Sequence, residues 1–310
     1  MNALLTCRFS LFVLLASACL LAPGSGALAQ NSPQVSESAA GSAEKSAPEM
    51  GLALILPRGA AQLGGTSDKY AAELAALLEK AAALPTGSVR ARAFADPEEA
   101  ARQIALWESG GIILGDLSFY ASHRDTLGLA PFLSLTRSEA KTGEEALSRW
   151  HVVVKKGRFA SLADLKGRTL VGTPLAEDRG FLERGLFWKS GFASRDFQLL
   201  PTAHPLREIR RLASEGRDAV VLDDAQFLSL RKMAAFEELD VIYTSQPVPA
   251  LGAMLRRASL SDAQVQAMAR AMKSICTLAE GASLCQSFGI SGFADADAAA
   301  VNAFADSLKR

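Results

Sequence analysis

The sequence predicts an α/β protein, with short buried strands alternating with amphipathic helices on mostly parallel sheets. Three observations carry that reading. Apolar, strand-length runs recur at 51–56, 111–115, 150–154, 169–172 and 219–222. Between several of them the apolar residues fall on one helical face, as Tyr70, Leu74, Leu77, Leu78 and Ala81 do. Glycine, proline or a capping residue stands at the joints, which is the punctuation of strand–helix alternation. The chain has 310 residues, enough for one large domain or two of ordinary size.

In order, the chain opens with 29 residues whose one charge is Arg8. Phe9 to Leu21 is an apolar core too short to span a bilayer comfortably. Ala27-Leu28-Ala29 before Gln30 fits a small-residue cleavage site, so 1–29 reads as a secretion signal. A rival stands beside it: Leu15-Ala16-Ser17-Ala18-Cys19 resembles a lipoprotein cleavage box, which would leave a lipid on Cys19. Residues 30–49 are rich in Ser, Ala, Pro and Glu. They cannot bury enough surface to offset their ordering entropy, and read as a disordered spacer. The strand at 51–56 is closed by Pro57, and a loop with three glycines leads to a helix starting at Thr66 or Ser67. Residues 88–94 alternate as a strand does, Asp96 caps a helix to about 108, and 111–115 is again a strand. Further strands are expected at 129–135 and 150–154, the latter strongly β-forming.

The stretch from Phe159 to Pro174 organises the rest. Ser161 is placed to cap a turn by accepting from the N–H groups after it. Gly167 is placed to end that turn in the left-handed region. Thr169-Leu170-Val171 makes a buried strand, and Gly172-Thr173-Pro174 stops it before a helix over about 177–190. A strand at 197–200 follows, then a helix at 204–214 with Leu206, Ile209, Leu212 and Ala213 on its apolar face. Next come a strand at 219–222 ending in Asp223-Asp224, and a strand at 240–243. Val265, Met268, Ala269, Met272, Ile275, Cys276 and Ala279 line one face of a long helix.

The block Ser161-Leu162-Ala163-Asp164-Leu165-Lys166-Gly167-Arg168-Thr169-Leu170-Val171-Gly172-Thr173-Pro174 resembles the start of the second lobe in periplasmic substrate-binding proteins of ABC transporters. The likeness is to the phosphonate-type (phosphate, phosphite, phosphonate) group. The segments 202–224, 245–249 and 287–293 extend it over 51–293. The resemblance implies a class 2 periplasmic-binding-protein-like fold of two lobes joined by a hinge, each a mostly parallel sheet flanked by helices. Lobe one would hold 50–150 plus 245–310, and lobe two 151–244 with the hinge strands. It also implies a small polar or anionic ligand in the cleft, an ABC permease as partner, a monomer, and a periplasmic location. The membrane is involved only if Cys19 is lipidated. A second implication on the same fold is a sensor or accessory subunit that presents its lobes to a partner protein without transport.

Composition narrows the classes. Half the residues are apolar (49%) and a fifth charged (21%), which is globular. Lys+Arg and Asp+Glu are equal at 33, so no basic excess points to nucleic acid. There is no GxGxxG, Walker loop, GxSxG or HExxH, and the three histidines have no ligand spacing. No enzyme, metal or cofactor is therefore expected. A weaker enzymatic reading would need Asp223 and His204 within hydrogen-bond reach.

Candidate ligand residues sit where strands end. Thr173 follows one strand, and the helix start beyond it would offer unpaired N–H groups to an anion. Asp223 ends another, where it either caps a helix or accepts from a ligand. Arg58 could clamp an anion, Ser118, Phe119 and Tyr120 could line the cleft, and His204 stands at a helix start. Where phosphonate binders carry Ser/Thr, this chain has Leu175-Ala176-Glu177-Asp178-Arg179. The acids would repel a phosphonate unless Arg179 compensates. Cys276 and Cys285 are the two cysteines beyond the signal, read as a disulfide in an exported chain or else as two buried thiols.

Overall fold

A computed structural model of the protein describes residues 50–56, 66–137, 144, 146–214, 216–287 and 290–309. The signal at 1–29 with Cys19, the spacer at 30–49 and Arg58 lie outside the described residues. Those described belong to one compact unit.

The first strands and helices alternate as read: β1 (Met50–Ile55), α1 (Thr66–Ala81), β2 (Val89–Phe94), α2 (Pro97–Ala105), β3 (Gly111–Leu114), α3 (Leu117–Leu127) and β4 (Leu129–Thr136). Asp96 and Asp116 cap α2 and α3, accepting from Glu98 N and Phe119 N, both at 2.9 Å. A short strand β5 (Leu147–Ser148) leads to β6 (Trp150–Lys155). Then come β7 (Thr169–Gly172), α4 (Arg179–Arg184), β8 (Gln198–Pro201), α5 (Pro205–Ala213), β9 (Ala219–Asp223), α6 (Asp224–Leu230) and β10 (Leu239–Thr244). The chain finishes with β11 (Val248–Pro249), β12 (Leu251–Arg256), α7 (Asp262–Ile275), α8 (Ala279–Ser287), β13 (Gly292–Asp295) and α9 (Ala298–Ser307).

The strands form a six-stranded sheet of order β13-β4-β12-β3-β1-β2 and a five-stranded sheet of order β10-β6-β9-β7-β8. The parallel part of each is the predicted βαβ core, β2-β1-β3 and β8-β7-β9. The strands that carry the chain between sheets run antiparallel to their neighbours: β12 between β3 and β4, and β6 between β10 and β9. Both sheets are therefore mixed, because a strand entering from the other sheet needs no helical crossover. At the crossing, Trp150 and Ser245 tie the two connections: Trp150 N donates to Ser245 Oγ at 3.0 Å and Ser245 N to Trp150 O at 2.9 Å. β5 and β11 pair antiparallel beside them.

Alternating residues divide the core between sheet faces. In β6, Val152 and Val154 join one apolar cluster, while Val153 joins Ile209 and Leu212 of α5 in another. In β1, Ala53 faces one layer while Leu52 and Leu54 face α1 and α7.

Several local expectations are corrected. Ser161 does not cap by accepting: its hydroxyl donates to Asp164 at 3.1 Å, and Asp164 accepts from the N–H groups of Ala160 and Ser161, both at 2.9 Å. A carboxylate is the stronger acceptor, so it takes the capping role. Gly167 is left-handed at φ +76°, as expected. The helix over 177–190 is only α4, six residues, preceded by a 3-10 turn at Thr173–Ala176, and Gly185 stands directly after its last residue. The long helix after 262 breaks at Cys276, and α8 begins at Ala279. Cys276 and Cys285 join α7 to α8 as a disulfide with Cα atoms 5.6 Å apart.

Candidate functional site

Strand order reverses at β1/β3 and at β7/β9, and the loops leaving those carboxyl ends open on one cavity of about 360 Å³. Leu56, Gly115 and Asp116 reach it from the six-stranded sheet; Thr173, Glu177 and Asp223 reach it from the five-stranded one. Ser148, Trp150 and Val248 reach it from the crossing connections. The backbone at β7 is drawn close to β9: a Cβ at Gly172 would meet Val221 O closer than 3.0 Å, which only glycine avoids.

Three polar groups define the chemistry. Thr173 Oγ1 is buried and finds no partner among the described residues. Asp223 caps α6, accepting from Gln226 N at 2.8 Å, and also lines the cavity. Burial pushes its carboxyl above the usual range, with Asp224 adding to the rise and the Gln226 N–H and Arg137 charge opposing it. The third, Arg137, closes β4 and was not singled out in the sequence. Its side chain is buried. Nη1 donates to Leu147 O at 2.9 Å, Nη2 to Ser148 Oγ at 3.4 Å, and Nε has no partner among the described residues. The available signal was a basic residue directly after an apolar strand.

Behind the cavity lies a second polar cluster at the crossing. Asp224 accepts from His151 Nε2 at 2.6 Å and Arg149 N at 2.7 Å, with Arg137 3.8 Å away. Burial would raise the Asp224 carboxyl, but these bonds and charges hold it below the usual range. His151 is also within 3.2 Å of Thr244 Oγ1 on β10 and stacks on Phe227.

The sequence-predicted residues divide. Thr173 and Asp223 meet at the cavity. Phe119 and Tyr120 are buried in the core instead: Phe119 packs on His123, and the Tyr120 hydroxyl donates to Asn302 Oδ1 at 2.6 Å. The preceding Asp116 and Leu117, not Ser118, line the cavity. Arg179 is mostly exposed, donates through Nε to Ser194 Oγ at 3.0 Å, and is not among the residues lining the cavity. His204 begins α5 outside the lining that contains Asp223, its N–H donating to Thr202 Oγ1 at 3.2 Å. Among the described residues, no group of three His, Cys, Asp or Glu is placed to hold a metal ion. None of their helices is long and apolar enough to cross a membrane.

A family model described as ABC transporter, phosphonate, periplasmic substrate-binding protein matches residues 65–301. No curated protein sequence matches. Among solved structures, XAC2383 from Xanthomonas citri, bound to ATP, is 14% identical with a TM-score of 0.60, over 85% of this chain and 98% of that one. PhnD1 from Prochlorococcus marinus, in complex with methylphosphonate, is 11% identical with a TM-score of 0.58, over 85% and 98%. A binding protein component of an ABC phosphonate transporter from Pseudomonas aeruginosa is 14% identical with a TM-score of 0.56, over 81% and 82%. At such identities the likeness is one of fold.

Proposed function

The chain belongs to the phosphonate-type family of ABC-transporter periplasmic substrate-binding proteins, and from that premise we propose that it captures a small molecule in the cavity where its two sheets end, for delivery to an importer. One observation carries the site: strand-end loops from both sheets line the same space, with Gly115 and Asp116 on one side and Thr173, Glu177 and Asp223 on the other.

In this reading Thr173, Asp223 and Arg137 contact the ligand. The lobes are 50–150 with 245–310 and 151–244, hinged at β6 and β10. The segment 1–29 directs export and is cleaved after Ala29. The Trp150–Ser245 bonds sit at the hinge, where a small rotation carries the two walls together.

The test is a thermal-shift screen of phosphonates, phosphate, sulfonates, amino acids and heterocycles, followed by small-angle scattering on any hit. A ligand at 100 times its dissociation constant stabilises by about 2.7 kcal/mol. A hit that also compacts the chain supports capture; silence across the panel, with no compaction, sinks it.

A further inference from the structure

One helix, α9, touches both halves of the molecule. Its polar side is fixed to α3, which packs on β4 and β12 of the six-stranded sheet. Asn302 Oδ1 accepts from the Tyr120 hydroxyl at 2.6 Å and from Arg124 Nη1 at 3.3 Å. Asp306 pairs with Arg124, and Lys309 with Asp125. The other side of α9 is apolar, because Val301, Phe304, Ala305 and Leu308 recur three and four residues apart. From that side the Phe304 ring meets Phe181 of α4 edge-on, with centroids 5.7 Å apart and planes at 71°.

Phe181 has three neighbours of different kinds. It lines the cavity, it meets Phe304, and it packs edge-on against Trp150 of β6 at 5.7 Å. The end of α4 is tied to the crossing strands of the five-stranded sheet. A Cβ at Gly185 would lie closer than 3.0 Å to the Trp150 ring, and Leu186 O accepts from the Tyr243 hydroxyl of β10 at 2.8 Å. So α4 goes with the five-stranded sheet and α9 with the six-stranded one, and the two rings meet between them. One buried apolar cluster runs through this point, from Leu129 by way of Val301 and Ala305 to Phe181, Trp150 and Leu170. The two sheets therefore share a core as well as their connecting strands. Parting the cavity walls would pull Phe181 from Phe304 and return both rings to water, losing buried area and the edge-to-face geometry together.

Resting on the capture reading, we propose that α9 is a clasp. Phe304 is a positioning residue that, through Phe181, holds the two cavity walls together before any ligand arrives. The ligand then meets a chain already populated near its closed form and does not have to drive closure alone.

The test uses the ligand-free chain, so its failure leaves capture standing, and capture is decided separately by the broad screen. Nitroxide labels on Ala72→Cys in α1 and Arg210→Cys in α5, both exposed, report the separation of the halves by double electron–electron resonance, with the native disulfide kept. The doubly labelled parent should give one narrow distance. Phe304→Ala should add a longer one, shifting the closed-to-open ratio about tenfold, the order of a lost aromatic pair with its buried area. Phe304→Leu keeps apolar volume without the ring and should add less of it. Should Phe304→Ala fail to fold, Phe304→Leu decides by the same criterion. Leu260→Ala thins the separate apolar cluster beside α1 and α7, and should lower stability while leaving the distance at the parent's. A Phe304→Ala distribution that superposes on the parent's overturns the inference. So do a shift to shorter distances, a parent that already shows both distances, and an equal response in Leu260→Ala.

Discussion

Replacing Arg137 by Met tests how the cavity is built. Arg137 is 9% exposed and joins the end of β4 to β5, the first segment of the crossing. Its bond from Nη1 to Leu147 O at 2.9 Å is charge-assisted, and such bonds contribute about 1.5–3 kcal/mol. The 3.4 Å contact to Ser148 Oγ adds little. Leu147 is half-buried, so water can partly satisfy its carbonyl after the change. Asp224 keeps its bonds from His151 and Arg149. Met fills the stem's volume and removes the unpartnered Nε. The balance is a loss of about 2 kcal/mol, or roughly 4–8 °C in Tm for a chain of this size. Urea unfolding should show a lower midpoint at unchanged slope. Arg137→Lys should recover only part, because an ammonium lacks the planar fork. A midpoint within about 0.5 kcal/mol of the parent, the ordinary range for surface changes, would refute the reasoning. Arg137 would then be unanchored and free to act as an anion clamp.

Three further outcomes follow from the same geometry. Asp223→Asn keeps the cap, since Asn and Asp cap equally well, and removes a carboxyl that burial favours in its protonated form. A raised folded pKa gives stability that is present below the ordinary carboxylate value and lost as pH rises through the raised one. The variant should therefore gain on the parent as thermal melts move from pH 4 to pH 8, and a pH-independent difference would count against it. Reducing the Cys276–Cys285 bridge, whose cysteines are nine positions apart, should lower stability by about 2–3 kcal/mol on the loop-entropy model; urea curves with and without reductant measure it. Gly172→Ala forces a Cβ onto Val221 O and should cost about 3 kcal/mol with loss of ligand binding; a variant as stable as the parent would mean that β7 and β9 are not packed this closely.

What was legible in the sequence was legible for local reasons. The βαβ cores show as apolar runs because strands buried on both faces need continuous apolar side chains, as in β3 and β9. The caps at Asp96 and the turn at Gly167 follow from chemistry within three or four residues. β12 was missed because Leu251-Gly252-Ala253-Met254-Leu255 lacks the β-branched residues that mark strands. It holds its place through pairing with β3 and β4 on both sides. The helix expected over 177–190 is only six residues long, and Gly185, directly after its last residue, is a sequence-visible signal for that early end.

The site divides along the same line. Thr173 and Asp223 were readable because a strand's carboxyl end is set by the strand itself. Phe119 and Tyr120 were not, since which side of α3 turns inward depends on α9, whose Asn302 takes the Tyr120 hydroxyl. Arg137 lay beyond reach for a similar reason. Its meaning comes from Leu147, Ser148 and Asp224, brought to it only when the crossing folds back past β4. The sequence by itself determined the alternation of strand and helix and so the positions of the loops. The tertiary structure alone decided which of those loops share a cavity and which charges are already engaged there, because both depend on residues distant along the chain.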